Sequence, residues 1–255
     1  MQDNNFYIYG RNSIIEAINS NKNIEKIYVQ YNSSGENIQK IYNLAKKNKI
    51  TIVQQDKRKF QELEKKLNIN SAKSQGVIGL ISLINYLNVE ELCQNSLRNN
   101  NNPTIVLLYE INDVHNIGAI ARTALCADVS GMIIPERNSA PITPAAVKIS
   151  AGALLHMPVA KSGSIINTLI KLKDYNFKIY GTDINAAVNY YDEKFTEPTV
   201  IIIGNEAKGI SPAVKKYCDK LITIPMSGKL DSLNASVSAG IILFEIFKQK
   251  SKTSK

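Results

Sequence analysis

Thr199-Val200-Ile201-Ile202-Ile203-Gly204-Asn205-Glu206-Ala207-Lys208-Gly209-Ile210-Ser211-Pro212 is the stretch that decides the fold. An unbroken β-branched run, Thr199 to Ile203, with no polar alternation reads as a strand covered on both faces, which belongs in a parallel sheet flanked by helices. Gly204 and Gly209 bracket a polar loop, and Ser211-Pro212 opens a helix, a capping hydroxyl followed by proline in the first turn. Ligands of such sheets sit beyond the carboxyl ends of the strands, where this loop lies. The glycine spacing approximates a phosphate-binding loop, but Ile210-Ser211 stands where the Lys-Ser/Thr pair is required, and the chain has no GxGxxG. A nucleotide hydrolase and a dinucleotide fingerprint are therefore disfavoured. Glu206 can hold a cationic group or cap backbone donors, although a plain surface loop accounts for the same residues.

The same rhythm extends outward. Ile105 to Tyr109, Met132 to Ile134, Lys178 to Tyr180 and Leu221 to Ile224 read as further strands. Ile117 to Ala127, Pro144 to Leu155, Ile165 to Lys173, Pro212 to Tyr217 and Asn234 to Lys248 read as helices. The fold class is α/β with a mainly parallel sheet. Ahead of it, strands at Phe6 to Tyr9, Lys26 to Gln30, Ile50 to Gln54 and Gly76 to Ile84 alternate with helices at Asn12 to Ser20, Glu36 to Asn48 and Asp56 to Leu67. That is a separate small α/β domain over residues 1–84. Asn99-Asn100-Asn101-Asn102-Pro103 is the clearest break, so residues 85–103 are expected to be a linker and 104–255 the second domain.

Two more segments fall at strand ends. In Asn116-Ile117-Gly118-Ala119-Ile120-Ala121-Arg122, Asn116 is placed as an N-cap, a role that competes with a catalytic one. Ile117, Ile120, Ala121, Ala124 and Leu125 share a face, and Arg122 falls off it, free to grip a phosphate or carboxylate with paired donors. Ile224-Pro225-Met226 turns out of a strand and continues to Ser232-Leu233-Asn234. Leu233, Val237, Ile241 and Phe244 then form an apolar stripe, which suits a core or subunit-contact helix. Ser232 and Asn234 are too polar for that stripe and belong at a site or a cap.

Composition sets limits. The chain has 255 residues, 44% hydrophobic and 21% charged, as ordinary globular proteins do. No apolar run approaches the ~20 residues of a membrane helix. The N-terminus has no signal-peptide core, and Asp3 and Glu16 do not suit a transit segment, so the expected location is cytoplasmic. Cys93, Cys126 and Cys218 are widely spaced and only His115 and His156 accompany them, which argues against a disulfide framework or a metal site. Cys126 sits in an apolar helical pattern and is read as a small core residue rather than a nucleophile paired with His115. The net charge of +9 suits an anionic partner, and a lysine-rich surface serving solubility satisfies the same count. Lysine outnumbers arginine 26 to 5, which makes each arginine more informative. Lys46-Lys47-Lys49 and Lys57-Arg58-Lys59 could grip an anionic backbone, though runs of this kind are ordinarily solvated helix faces.

Taken in order, Asn116-x-Gly118-x-x-x-Arg122, Gly204-x-Glu206-x-x-Gly209, and Ile224-Pro225-Met226 with Ser232-Leu233-Asn234 resemble the three signature motifs of the SpoU (TrmH-like) RNA 2′-O-ribose methyltransferases of the SPOUT superfamily. The Tyr9-Gly10-Arg11 start and the Gln75-Gly76-Val77-Ile78 end of the first domain are similar to the ribosomal-protein-like RNA-binding domain that many members carry. The resemblance implies a deep trefoil knot in the second domain, S-adenosyl-L-methionine held near Thr182, Gly204, Ile224, Met226 and Leu233, and a catalytic and positioning set of Arg122, Asn116, Glu206, Ser232 and Asn234. It implies a homodimer, while no metal and no membrane are expected from the composition. Ala207 stands where relatives often have glycine, and Ala235 where valine is common. The two-domain layout most resembles enzymes methylating a guanosine of 23S rRNA. A tRNA substrate, a resistance-type rRNA site and a non-catalytic ribosome assembly factor are the alternatives. Arg122 is read either as the base or as an electrostatic clamp on the adjacent phosphate, the second being easier because a neutral guanidine is costly.

Overall fold

The structure is a computed structural model that describes residues 6–20, 22–48, 50–228 and 232–253. Lys49 of the expected basic cluster, and Asp3, lie outside those residues. The chain divides into two compact units, one ending at Asn85 and the other beginning at Tyr86.

The first unit runs β1 (Tyr7–Tyr9), α1 (Arg11–Asn19), β2 (Ile24–Gln30), α2 (Glu36–Lys47), β3 (Thr51–Gln55), α3 (Lys57–Lys66), α4 (Ser71–Ser74) and β4 (Val77–Ile81). Its sheet has the order β1-β4-β2-β3. β4 is antiparallel to both neighbours, and β2 pairs with β3 in parallel. Ile14, Ile27 and Ile41 are fully buried between helices and sheet. The two ends of the unit are pinned together. Gly10 N donates to Val77 O at 3.1 Å, and Arg11 donates from Nε to Gln75 O at 3.1 Å and from Nη1 to Ser34 O at 3.0 Å.

The second unit opens on α5 (Val89–Asn99), inside the segment expected as a linker. Val89, Leu92 and Cys93 are core residues of this unit, and a reciprocal capping box starts the helix. Asn88 Oδ1 accepts from Glu91 N and Glu91 Oε2 accepts from Asn88 N, both at 2.9 Å. Its short apolar face among asparagines gave little periodicity, while the Asn-x-x-Glu spacing was the available signal.

There follow β5 (Thr104–Leu108), α6 (Val114–Cys126), β6 (Gly131–Pro135), α7 (Pro144–Ile149), α8 (Ala153–His156), β7 (Val159–Ser162), α9 (Ile165–Asp174), β8 (Lys178–Thr182), β9 (Val188–Asn189), β10 (Thr199–Ile203), α10 (Pro212–Lys215), β11 (Lys220–Thr223) and α11 (Ala235–Thr253). Seven strands pair in the order β7-β6-β5-β10-β8-β11-β9, every neighbouring pair parallel. β10 is buried along its whole length between β5 and β8, as the Thr199 to Ile203 run required. Burying each of those isoleucines contributes roughly 2 kcal/mol.

Several expectations are corrected. The helix expected over 144–155 is two, because Ala151 (φ 50°) and Gly152 (φ 86°) turn left-handed and end α7. β7 and β9 had not been anticipated, being short and weakly apolar. Cys126 is exposed rather than core, and Leu125 is 41% exposed. The inward face of α6 is carried by Ile117, Ile120, Ala121 and Ala124. On α11 the inward face is Ala235, Ala239, Ile242, Leu243 and Ile246, whereas Val237 and Phe244 of the expected stripe are 49% and 47% exposed. α11 carries apolar residues around most of its circumference, so periodicity alone could not choose the side that packs.

Candidate active site

The chain leaves β5 toward β6 and β7 on one side, then returns to place β8 and β11 beyond β10 on the other. The reversal of strand order beside β5 and β10 makes a crevice at their carboxyl ends, and the loops after β5, β8, β10 and β11 meet above it.

Gly204 ends β10 where no side chain fits. A Cβ there would stand 2.6 Å from Gly209 C and 2.9 Å from Gly209 O, so the returning loop packs directly on the strand end. Asn205 shapes that loop. Its Oδ1 accepts from Ala207 N at 3.0 Å and Lys208 N at 3.1 Å, an Asx turn, while its Nδ2 donates to Glu110 O at 3.0 Å beyond β5. Asn205 was passed over in the motif, although an asparagine in a tight glycine-flanked loop is a turn former.

A cavity of about 410 Å³ opens on one side of this loop. Thr182, Gly204, Ile224, Met226 and Leu233, the expected cofactor set, all line it, and so do Glu206 and Ser232. The Thr182 hydroxyl donates to Ile202 O at 3.0 Å. Ile203, Ile222 and Ile242 give the cavity an apolar wall. Asp183 and Lys215 form an ion pair on the same lining, one that sequence reading had no means of finding across two separate elements. Burial works to raise the Asp183 carboxyl, but Lys215 and the Asn185 N–H prevail and hold it below its usual value.

Beside the cavity lies a cluster that joins all three motifs. Asn116 Nδ2 donates to Glu206 Oε1. Asn234 Nδ2 donates to Asn116 Oδ1 at 3.0 Å and to Glu206 Oε1 at 3.4 Å. Asn116 is 6% exposed and is not the N-cap of α6. Asp113 is, accepting from His115 N at 2.8 Å, and α6 begins three residues earlier than its apolar spacing suggested. Asn234 does cap, since its Oδ1 accepts from Ser236 N at 2.9 Å at the start of α11. A single amide therefore both starts α11 and ties it to the other two motifs.

Gly118 lets α6 and α7 touch, because a Cβ there would meet Ala146 O and Ile149 Cβ, each at 2.8 Å. Arg122 is not brought into the cluster. It is exposed and outside the cavity lining. Six residues after Asn116, it stands ~9 Å further along α6 and on another side of it. Cys126 and His115 are separated by ~16 Å of helix, which removes the nucleophile–base pairing. Among the described residues no group of His, Cys, Asp and Glu is arranged to hold a metal ion, and no helix is long and apolar enough to cross a membrane.

A parallel α/β sheet with a cavity at its switch point and an amide–carboxylate cluster beside it has the layout of a small-molecule site. Residues 103–244 match the SpoU rRNA Methylase family, and residues 7–87 match the RNA 2′-O ribose methyltransferase substrate-binding domain. A Bacillus subtilis protein assigned to the TrmH family of tRNA/rRNA methyltransferases is 32% identical over 250 residues, covering 98% of both chains. A Staphylococcus haemolyticus protein named for the same family is 35% identical over 243 residues, 95% of each. Among solved structures, the SpoU methyltransferase AviRb from Streptomyces viridochromogenes aligns with a TM-score of 0.61 at 21% identity, over 97% of this chain and 90% of that one. AviRb has also been solved in complex with AdoMet. A tRNA-modifying TrmH/SpoU enzyme from A. aeolicus is 30% identical over 65% of this chain and 84% of its own, with a TM-score of 0.56. The chain belongs to the SpoU methylase family, with a SpoU substrate-binding domain ahead of the methylase domain.

Proposed function

We propose that this protein is an S-adenosylmethionine-dependent RNA ribose 2′-O-methyltransferase acting on a guanosine of 23S rRNA in the cytoplasm. The observation that carries the reading is the Asn116–Glu206–Asn234 cluster beside the cavity, with Glu206 on the lining. It joins the three motifs in one place with more polar groups than packing needs. The cavity fits the donor by size and by chemistry. About 410 Å³ suits a small molecule. The apolar wall suits an adenine ring, and the missing phosphate-loop lysine suits a nucleoside that carries no phosphate. Backbone around Gly204, Ile224, Met226 and Leu233 would hold it, on a chain path that the family resemblance makes a trefoil knot. When bound, S-adenosylmethionine supplies a methyl group activated on a sulfonium.

The protein residues then have distinct tasks. Asn116 and Asn234 fix Glu206 through Oε1 and leave Oε2 to accept from the ribose 2′-hydroxyl and take its proton as the new O–C bond forms. Arg122 holds the adjacent phosphate with paired donors and stabilises charge developing on the ribose oxygen. Ser232 orients the sugar from the cavity rim. Placement of the reacting atoms supplies much of the acceleration.

Arg122 lies outside its own cavity, on the surface shared by α6 and α11. Leu125, Val237, Phe244 and Phe247 are exposed on those two helices, and Thr123 packs where α11 has Gly240, whose Cβ would be 3.6 Å from Thr123 Cγ2. Four large apolar side chains exposed on two packed helices suit a protein contact. This supports a homodimer in which Arg122 of one subunit serves the cavity of the other.

The curated relatives are named for tRNA and rRNA alike, which keeps a tRNA substrate as the second reading. Calorimetry with S-adenosylmethionine, followed by mapping of 2′-O-methyl sites in RNA from cells with and without the gene, tests the proposal. A single lost site in 23S rRNA is expected. A lost tRNA site moves the substrate to tRNA, and the absence of both cofactor binding and any changed site rejects the enzyme.

A further inference from the structure

A second recess, of about 330 Å³, lies on the other side of the β10 loop from the cofactor cavity. Tyr109 and Glu110 border it from the end of β5, Arg137 from the end of β6, Ser164 from the start of α9, and Ser211 and Ala213 from the start of α10. It shares its dividing wall with the site already described, because Glu110 O accepts the amide that shapes the loop carrying Glu206.

Three features characterise this recess. Arg137 is exposed and has no hydrogen-bond or ion-pair partner among the described residues, in a chain that uses arginine only five times. Arg11 and Arg58 have partners, as carbonyl clamp and helix ion pair, whereas Arg98 and Arg122 are exposed without one among the described residues, as Arg137 is. Glu110 adopts φ 56°, a conformation that costs a non-glycine residue of order 1 kcal/mol, and its carbonyl is held there by the amides of Asn112 at 3.1 Å and Asn205 at 3.0 Å. Finally, the residues that line it include an arginine, a glutamate, serines and a tyrosine. That mixture does not suit a bare anion, which the carboxylate would repel. It suits a ribonucleotide, whose phosphate the guanidinium can hold in a fork while the carboxylate accepts from hydroxyl or base N–H donors.

We propose that this recess is the subsite for a nucleotide of the RNA strand flanking the one that is methylated, with Arg137 on its phosphate and Glu110 on its sugar or base. The inference rests on the RNA methyltransferase reading and deepens it. The motif residues treat the donor and the ribose hydroxyl, and this subsite grips the neighbouring stretch of strand and contributes to the choice of substrate.

The test uses the full chain, Arg137→Ala, Arg137→Lys and Ala213→Trp, the last filling the recess without changing charge. Affinity for a 12-nucleotide single-stranded RNA of mixed sequence is measured by fluorescence anisotropy over a salt series, and S-adenosylmethionine binding by calorimetry. Arg137→Ala is expected to lose about tenfold in RNA affinity and to flatten the salt slope by about 0.7. Arg137→Lys restores the slope without the affinity, because it keeps the charge and loses the fork. Ala213→Trp loses affinity at unchanged slope, and all three bind S-adenosylmethionine as the wild type does. RNA affinity and slope equal to wild type in both Arg137→Ala and Ala213→Trp overturn the subsite. Wild-type protein that binds neither S-adenosylmethionine nor RNA overturns the functional reading itself.

Discussion

Gly204 and Asn116 show how single positions set this site. At Gly204 the obstacle to any side chain is backbone, since Gly209 C and O would stand 2.6 and 2.9 Å from a Cβ. The loop, not a flexible side chain, would have to move. Gly204→Ala is expected to cost about 1–3 kcal/mol in stability and to weaken S-adenosylmethionine binding roughly tenfold or more. Urea titration and calorimetry measure the two effects separately, and unchanged binding would remove this strand end from the cofactor site. Asn116 was legible as a special residue from its place in the motif. Its task was not, because the partners that use both ends of its amide come from elements far along the chain.

At the scale of elements, α11 couples packing to the site through the residue that caps its start and to the opposite end of the sheet near its last. Asn234→Ala removes the N-cap, worth about 1 kcal/mol, and strips the Asn116 carbonyl of a partner it holds at 3.0 Å. Asn234→Ser restores the cap alone. The expected outcome is a stability loss in the alanine variant that serine largely recovers, with methyl transfer lost in both. Recovery of activity by serine would make Asn234 a cap and nothing more. Near the other end of α11, Lys250 Nζ donates to Asn102 O at 3.0 Å, Pro103 O at 3.2 Å and Thr104 Oγ1 at 2.8 Å, at the amino end of β5. Burial pushes its ammonium from 10.5 down to about 7. Between those two values the unfolded chain binds the proton and the folded chain has released it, so stability rises with pH across this window. Below about pH 7 the cost of burying the charge is carried in full. Comparing urea midpoints at several pH values in that range, the wild type is expected to gain stability with pH relative to Lys250→Met. Parallel curves for the two proteins would show that Lys250 does not titrate there.

At the scale of the molecule, the position of Arg122 leads to a mixing experiment. If Arg122 serves the cavity of a second subunit, Arg122→Ala and Glu206→Ala are each inactive, and a mixture of the two regains methyl transfer at the one cavity that has both residues intact. If Arg122 serves its own cavity, every site in the mixture lacks one residue and activity stays absent. Light scattering on the same samples reports whether dimers form and exchange.

Local pattern was enough for the α/β class, the buried central strand at Thr199 to Ile203 and the loop that leaves it, because side-chain periodicity, capping residues and glycine act over a few residues. The family motifs could be read in the same way, each being a short segment held by its own turn. Residues 85–103 were misread because a few buried positions on α5, among asparagines, acquire meaning only when the sheet they cover exists. The side of α11 that packs, the exposure of Cys126 and Val237, the ion pair of Asp183 with Lys215 and the meeting of Asn116, Glu206 and Asn234 were decided by tertiary structure alone. Each depends on contacts between elements distant in sequence, and such contacts are set by the order in which parallel strands assemble, not by the propensities of the residues that make them.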